Sequence, residues 1–166
     1  MGAITTGISA AMMTTIREID KLAKAARAIG TPVEELSKLR YAAEQNGLAF
    51  ETLASGMQTL SQKIVEAASN AKSSAAQAFD ALGISVRDAS GRIKSTEQVL
   101  LEIADAFSRL EDGATKATAA QRLFGSAGGE LIGLLNEGSF AIKALGMEAE
   151  QLGLVLDQKT TEAAER

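Results

Sequence analysis

The chain of 166 residues contains no histidine and no cysteine. Without histidine it lacks both the commonest general base near neutral pH and the commonest zinc ligand. Without cysteine it has neither a disulfide framework nor a thiolate metal site. Aromatic residues amount to only 4% of the chain, so large rings cannot carry much of the core. There is a single proline, and little else interrupts a helix. No apolar run approaches the roughly 20 residues that span a bilayer. The longest, Leu131-Ile132-Gly133-Leu134-Leu135, stops at Asn136. The opening residues, MGAITTG, lack a charged segment followed by an apolar one, which gives no expectation of a signal peptide. Net charge is only −4, and the excess acid lies in residues 84–166. A mildly acidic chain without a basic block is poorly suited to specific nucleic-acid binding.

What is present is helix-forming. Hydrophobic residues make up 46% of the chain, much of it alanine, and Ala, Leu, Glu, Lys and Gln favour helix almost throughout. Small side chains bury little area each, so the helices must approach closely to gain much. The expected fold is mainly α: a multi-helix bundle or an elongated helical array, with one short β-hairpin near residues 84–94. Composition suggests three regions: an extended amphipathic helical region over 1–82, a compact helical module over 83–138, and C-terminal helices over 139–166.

Along the chain, Ile8, Met12, Ile16, Ile19, Ala23 and Ala26 form an apolar stripe on a first helix from about Ile8 to Ile29. Gly30 closes it. Thr31-Pro32-Val33-Glu34 then predicts a capping box, with Thr31 as N-cap, Pro32 at N1 and Glu34 at N3. Asn46-Gly47 predicts the end of that second helix. From Phe50 a heptad-like seam runs through Leu53, Met57, Leu60, Ile64 and Ala67. Its rhythm can be continued through Ala71, Ser74, Ala78 and Ala81, although Ser69-Asn70 invites a break near residue 70. Such a seam suits coiled-coil-like packing and self-association into a homo-oligomer. Gly91 after Asp88-Ala89-Ser90 reads as the left-handed residue of a hairpin. Ser95 with Gln98 predicts another capping box, opening a helix whose apolar face is Val99, Leu100, Ile103, Ala106, Phe107 and Leu110. Asp112-Gly113 is a turn; Ala117, Ala120, Leu123 and Phe124 mark the next helix. Leu131–Leu135 reads as a short buried helix. Ile142, Leu145, Ala149 and Leu152 mark a final one, and Asp157 is placed to cap a further turn. Thr161–Arg166 is helix sequence without a stop, as expected of a piece of something longer.

The sequence nominates no catalytic, cofactor-binding or metal-binding residue, and the candidates that come nearest each have a plain structural reading. Gly125-Ser126-Ala127-Gly128-Gly129 is glycine-rich, but Glu130 follows where a phosphate loop needs Lys-Ser/Thr, so a tight joint between buried helices is expected. Three pairs of acids stand close in sequence: Glu34 with Glu35, Glu111 with Asp112, and Glu148 with Glu150. All are expected on solvated surface, with Glu34 serving as a cap and Glu111-Asp112 as a turn. Ser37-Lys38 and Ser61-Gln62-Lys63 are expected on exposed helix faces rather than as Ser-Lys nucleophiles. Lys38 and Arg40, set against Glu34, Glu35 and Glu44, make a poor recognition helix. Tyr41 is expected half-buried in a helix interface.

Several runs together resemble phage and prophage tail tape measure proteins. They are FDALGISVRDASGRIKSTEQVLLEIADAFSRLEDGATKATAAQRLFGSAGGELIGLLNEG over Phe79–Gly138, LSKLRYAAEQNG over Leu36–Gly47, and Leu60-Ser61-Gln62-Lys63. The resemblance covers roughly residues 30 to 157. It implies an internal segment of a long, mostly helical structural protein that lies in the lumen of the phage tail, sets tail length and is ejected ahead of the DNA. It further implies residence in the host cytoplasm during assembly. Implied partners are the tail tube protein, tail assembly chaperones and tail-tip or baseplate proteins. Two other classes are carried as alternatives. One is a peptidoglycan-degrading helical domain using Glu102 or Glu130. The other is a helical adaptor or membrane-active bundle without a stable membrane span.

Overall fold

Helix α3 (Phe50–Ser69) is the axis of the fold. In the computed structural model, which describes the backbone of residues 2–164 and the side chains of residues 15–164, most of the other helices pack against it. Every position of the Phe50 seam as far as Ala67 is buried. The seam is spent inside the chain, against α1 (Gly2–Ile29), α2 (Val33–Gln45), α4 (Ser74–Ala81), α5 (Thr96–Arg109), α6 (Ala114–Phe124) and α7 (Gly128–Leu135). The continuation through Ala71, Ser74 and Ala81 does not form. Asn70 ends α3, all three residues are exposed, and Ser73 starts α4 afresh by accepting from the Ala76 N–H at 3.0 Å. Restarting resets the phase, so α4 buries Ala75, Ala76, Ala78 and Phe79 instead.

The described part of α1 buries Ile19, Leu22, Ala23, Ala26 and Ile29, while Ile16 is 46% exposed. Ile8 and Met12 of the expected stripe lie outside the described side chains. The capping box at Thr31 is not made. The Thr31 N–H closes α1 on the Ala26 carbonyl at 3.0 Å, which draws the residue into the end of the preceding helix. Pro32 takes the N-cap place without a side-chain cap, and the Thr31 hydroxyl is buried without a partner. The end of α2 follows expectation, with the Leu48 N–H returning to the Ala43 carbonyl at 2.9 Å.

The 84–94 segment turns at Gly91, whose φ of 85° is cheap only without a Cβ. It closes through one antiparallel bridge, Arg87 to Ile93, with the Asp88 N–H on the Arg92 carbonyl and the Lys94 N–H on the Val86 carbonyl. Ser95 then caps α5 by accepting from the Gln98 N–H at 3.1 Å. Val99, Leu100, Ile103 and Phe107 of α5 are buried, whereas Leu110 is left on the surface.

In α6 the expected Ala117 is exposed and its neighbour Lys116 is buried. The Lys116 ammonium, 3% exposed, donates to Asp112 Oδ1 at 2.9 Å and Asn136 Oδ1 at 2.7 Å. It also lies 5.8 Å from the centre of the Phe107 ring. A lysine can occupy a core position when its charge is met on arrival. A 3₁₀ turn over Gly125–Ala127 joins α6 to α7, where Leu131, Leu134 and Leu135 are buried. α8 (Gly138–Gln151) and α9 (Gln158–Ala164) complete the chain, and Asp157 caps α9 through the Thr160 N–H at 2.7 Å. A continuous apolar cluster runs from Leu22 to Ile142, crossing residues 82 and 138.

The 125–129 joint works by close approach. A Cβ on Gly128 would collide with the backbone carbonyl of Ala120, whereas one on Gly133 would meet nothing within 4 Å. Gly128 and Gly133 of α7 therefore predict opposite outcomes in thermal melts. Gly128→Ala should lose about 2–3 kcal/mol as backbone is forced apart. Gly133→Ala should gain about 0.5–1 kcal/mol by helix propensity.

Candidate functional site

The chemistry-bearing side chains converge where α8 crosses α2 and α5. Gly146 of α8 makes that crossing close, since a Cβ there would stand 3.2 Å from the Lys38 Cβ. The three helices leave a recess of about 260 Å³ walled by Leu39, Leu101, Ile142 and Met147, with Glu35, Glu97, Lys38 and Lys143 also lining it. Glu97 sits in the first turn of α5 and Glu35 in the first turn of α2. The Glu97 carboxyl is pushed up to about 7, first by burial and then by the negative charge of Glu35 and the hydrogen bond to it. Lys38 and Lys143 pull the other way and do not cancel the effect. Lys38 is itself held by Glu150 at 2.8 Å and Glu35 at 3.1 Å, and its pKa is raised mainly by the bond to Glu150. Burial and the neighbouring charge of Glu35 together favour the neutral form of the Glu97 carboxyl. The arrangement can therefore take up and release a proton near neutral pH.

The acids expected on open surface divide into several cases. Glu34 and Glu35 are half-buried rather than solvated. Glu34 does not cap its own helix but accepts from the Gln158 N–H at 3.1 Å, serving the start of α9 instead. Glu111 and Asp112 are exposed in their turn. Glu148 accepts from the Tyr41 hydroxyl at 2.7 Å, so Tyr41 joins α2 to α8 from a half-buried position, and Glu150 faces Lys38. Ser37, expected on an exposed face, is only 2% exposed. Its hydroxyl accepts from the Leu156 N–H at 3.0 Å and donates to the Leu154 carbonyl at 3.3 Å, which separates it from the ammonium of Lys38. Lys63 pairs with Glu66 at 3.0 Å, and Arg40 with Glu44 at 3.8 Å.

Glu102 is bound through both oxygens to Lys94 at 2.9 Å. Glu130 is exposed beside the glycine joint, 3.5 Å from the Thr52 hydroxyl. Glu97 had no signal of its own in the sequence, where it reads as an ordinary acidic residue in the first turn after the Ser95 cap. Only the fold brings Glu35 to it. Among the described residues no group of three or more acidic side chains is placed to hold a metal ion. Among the described residues no helix is long and apolar enough to cross a membrane.

Compared with known families, residues 3–125 match the phage-related minor tail protein family. The chain belongs to that family, and is thus a structural protein of a phage tail. No curated protein and no solved structure matches it.

The raised Glu97 value has a thermodynamic signature. The folded-state value of Glu97, about 7, lies above its ordinary 4.5, so the folded chain holds this proton more tightly than the unfolded one. Its contribution is complete below the ordinary value and is lost as pH rises toward 7. Glu97→Gln should flatten that decline, giving a variant that melts above the wild type at about pH 8 while the two converge near pH 4. Asp105 and Asp112 are shifted downward from 3.8, and so act in a separate, more acidic window.

Proposed function

We propose that the chain is a segment of a tail tape measure protein, a structural element of the tail tube lumen that runs no reaction of its own. The observation that carries this reading is the run Phe79–Gly138. Helix end, bridged hairpin, capped amphipathic helix, acidic-glycine turn and glycine-jointed apolar helix follow one another there as in the tape measure pattern. The match to the tail protein family overlaps this run and is consistent with it. Of the side chains that a wall-cleaving activity would use, Glu102 is neutralised by Lys94, and Glu130 stands on open surface. The surfaces turned toward tube, tip and chaperone proteins are those that the internal core leaves outside.

A ruler converts residue number into length. Drawn out as a single helix, 166 residues span on the order of 250 Å at a rise of 1.5 Å per residue. In the fold described, Tyr41 bonds to Glu148 and Glu34 to the start of α9, so the chain doubles back on itself. The segment then acts as a folded module within the ruler and adds less length than its residue count would allow.

Tandem in-frame duplication and triplication of residues 1–166 in the phage, with tail lengths measured by electron microscopy, tests this. The tails should lengthen by equal steps, each below about 250 Å. Tails of unchanged length would refute the ruler role.

A further inference from the structure

We propose that the recess between α2, α5 and α8 receives a lysine side chain from a partner protein. Its walls are Leu39 of α2, Leu101 of α5, and Ile142 and Met147 of α8, and its volume is about 260 Å³. Pockets for drug-sized ligands run from about 300 to 1,000 Å³, so this one is matched to a single side chain. Met147 is 59% exposed, which places one wall at the surface and leaves the recess open to a visitor. Apolar walls suit a stem of methylene groups, because burying the stem removes apolar area from water. The same recess is lined by the carboxyl groups of Glu35 and Glu97, which sit in the first turns of α2 and α5. A compact ammonium on a four-carbon stem meets both demands.

Charge selects a cation as the occupant. The charged groups that act on Glu97 come from the two helices packed beside it: Glu35 and Lys38 from α2, and Lys143 from α8. Lys38 is already held by Glu150 at 2.8 Å and by Glu35 at 3.1 Å. Lys143 is divided between Glu97 and Asp105, which Arg109 also serves. Two lysines and one arginine thus face the four carboxyl groups of Glu35, Glu97, Asp105 and Glu150, and the cluster is one positive charge short. In the chain alone a proton on Glu97 makes up the deficit, because burial and the charge of Glu35 favour its neutral form. An arriving ammonium supplies that charge instead, and Glu97 releases its proton to water as the ion pair forms. An uncharged stem leaves the deficit in place, and an anion deepens it. Such a site stands apart from the ruler role, since its walls and charges are the same whatever length the segment measures.

Titration of the isotope-labelled chain with Nα-acetyl-lysine methylamide, followed by nuclear magnetic resonance, tests the proposal. The norleucine counterpart, which carries the stem without the charge, is the control. The lysine compound should give saturable shifts of the Glu97 and Gly146 amides, and the norleucine compound should give none. Binding should be about tenfold tighter at about pH 8 than at about pH 6, because Glu97, with its value of about 7, is mostly ionised only at the higher pH. Glu97→Gln should remove both the binding and its pH dependence. Met147→Ser should weaken binding a few-fold while leaving the melting temperature unchanged, because that side chain is already largely in solvent. Glu102→Gln, at the separate pair with Lys94, should leave binding as it is. No saturable shift in the wild type at the higher pH overturns the proposal. If binding then emerges only in Lys143→Ala, Lys143 is itself the occupant and the proposal falls in the same way. Equal binding of the norleucine compound overturns it, as does binding that Glu97→Gln leaves intact.

Discussion

Close approach of helices holds this protein together. A core with few aromatic rings and many alanines gains little from any one side chain, so backbones must come near one another before dispersion and burial amount to much. Gly128 lets α7 sit directly on the Ala120 carbonyl, Gly56 lets Leu131 reach α3, and Gly146 lets α8 press on Lys38. The recess between α2, α5 and α8 follows from how tightly that last crossing is drawn.

Polar groups in this bundle act mainly at helix ends, and often at the ends of other helices. Asp105 of α5 receives the Ser139 N–H and hydroxyl at 2.8 Å each, capping α8 from a distant part of the chain. Those bonds are the main reason its carboxyl lies below the ordinary aspartate value. Glu34 does the same for α9, and Asp112 with Asn136 surrounds the buried ammonium of Lys116. Free N–H groups at helix starts cost energy unless something accepts from them. Here distant carboxylates accept, and so fix which helix lies beside which.

Local signals were legible in the sequence and long-range ones were not. The Phe50 seam, the break near residue 70, the stop at Asn46-Gly47, the Ser95 and Asp157 caps, the Gly91 turn and the tight joint before Leu131 all follow from spacing within one helix or turn. Thr31 reads as an N-cap in the sequence but closes α1 in the fold, because two helices compete for the same residue. Lys116 carries no core signal in the sequence, because lysine at a core position makes sense only with Asp112 and Asn136 around it. Ser37 and Glu35 read as surface because their partners, at Leu154–Leu156 and at Glu97, are distant in sequence. Glu97 and Glu35 lie on different helices with α3 and α4 between them in the chain, so no spacing rule pairs them.

The attachment of the C-terminal segment to α2 also bears on the order of events in folding. Ser37 meets Leu154 and Leu156, and Glu34 meets Gln158, across sequence separations of 117, 119 and 124 residues. Contacts that close such long loops form late, because the entropy of closure is spent before they give anything back. On the α2 side, α9 itself is held by the single Gln158 to Glu34 bond, which closes a loop of 124 residues. Its amides belong with those that exchange earliest with solvent deuterium, and the core of α3 with those that exchange last.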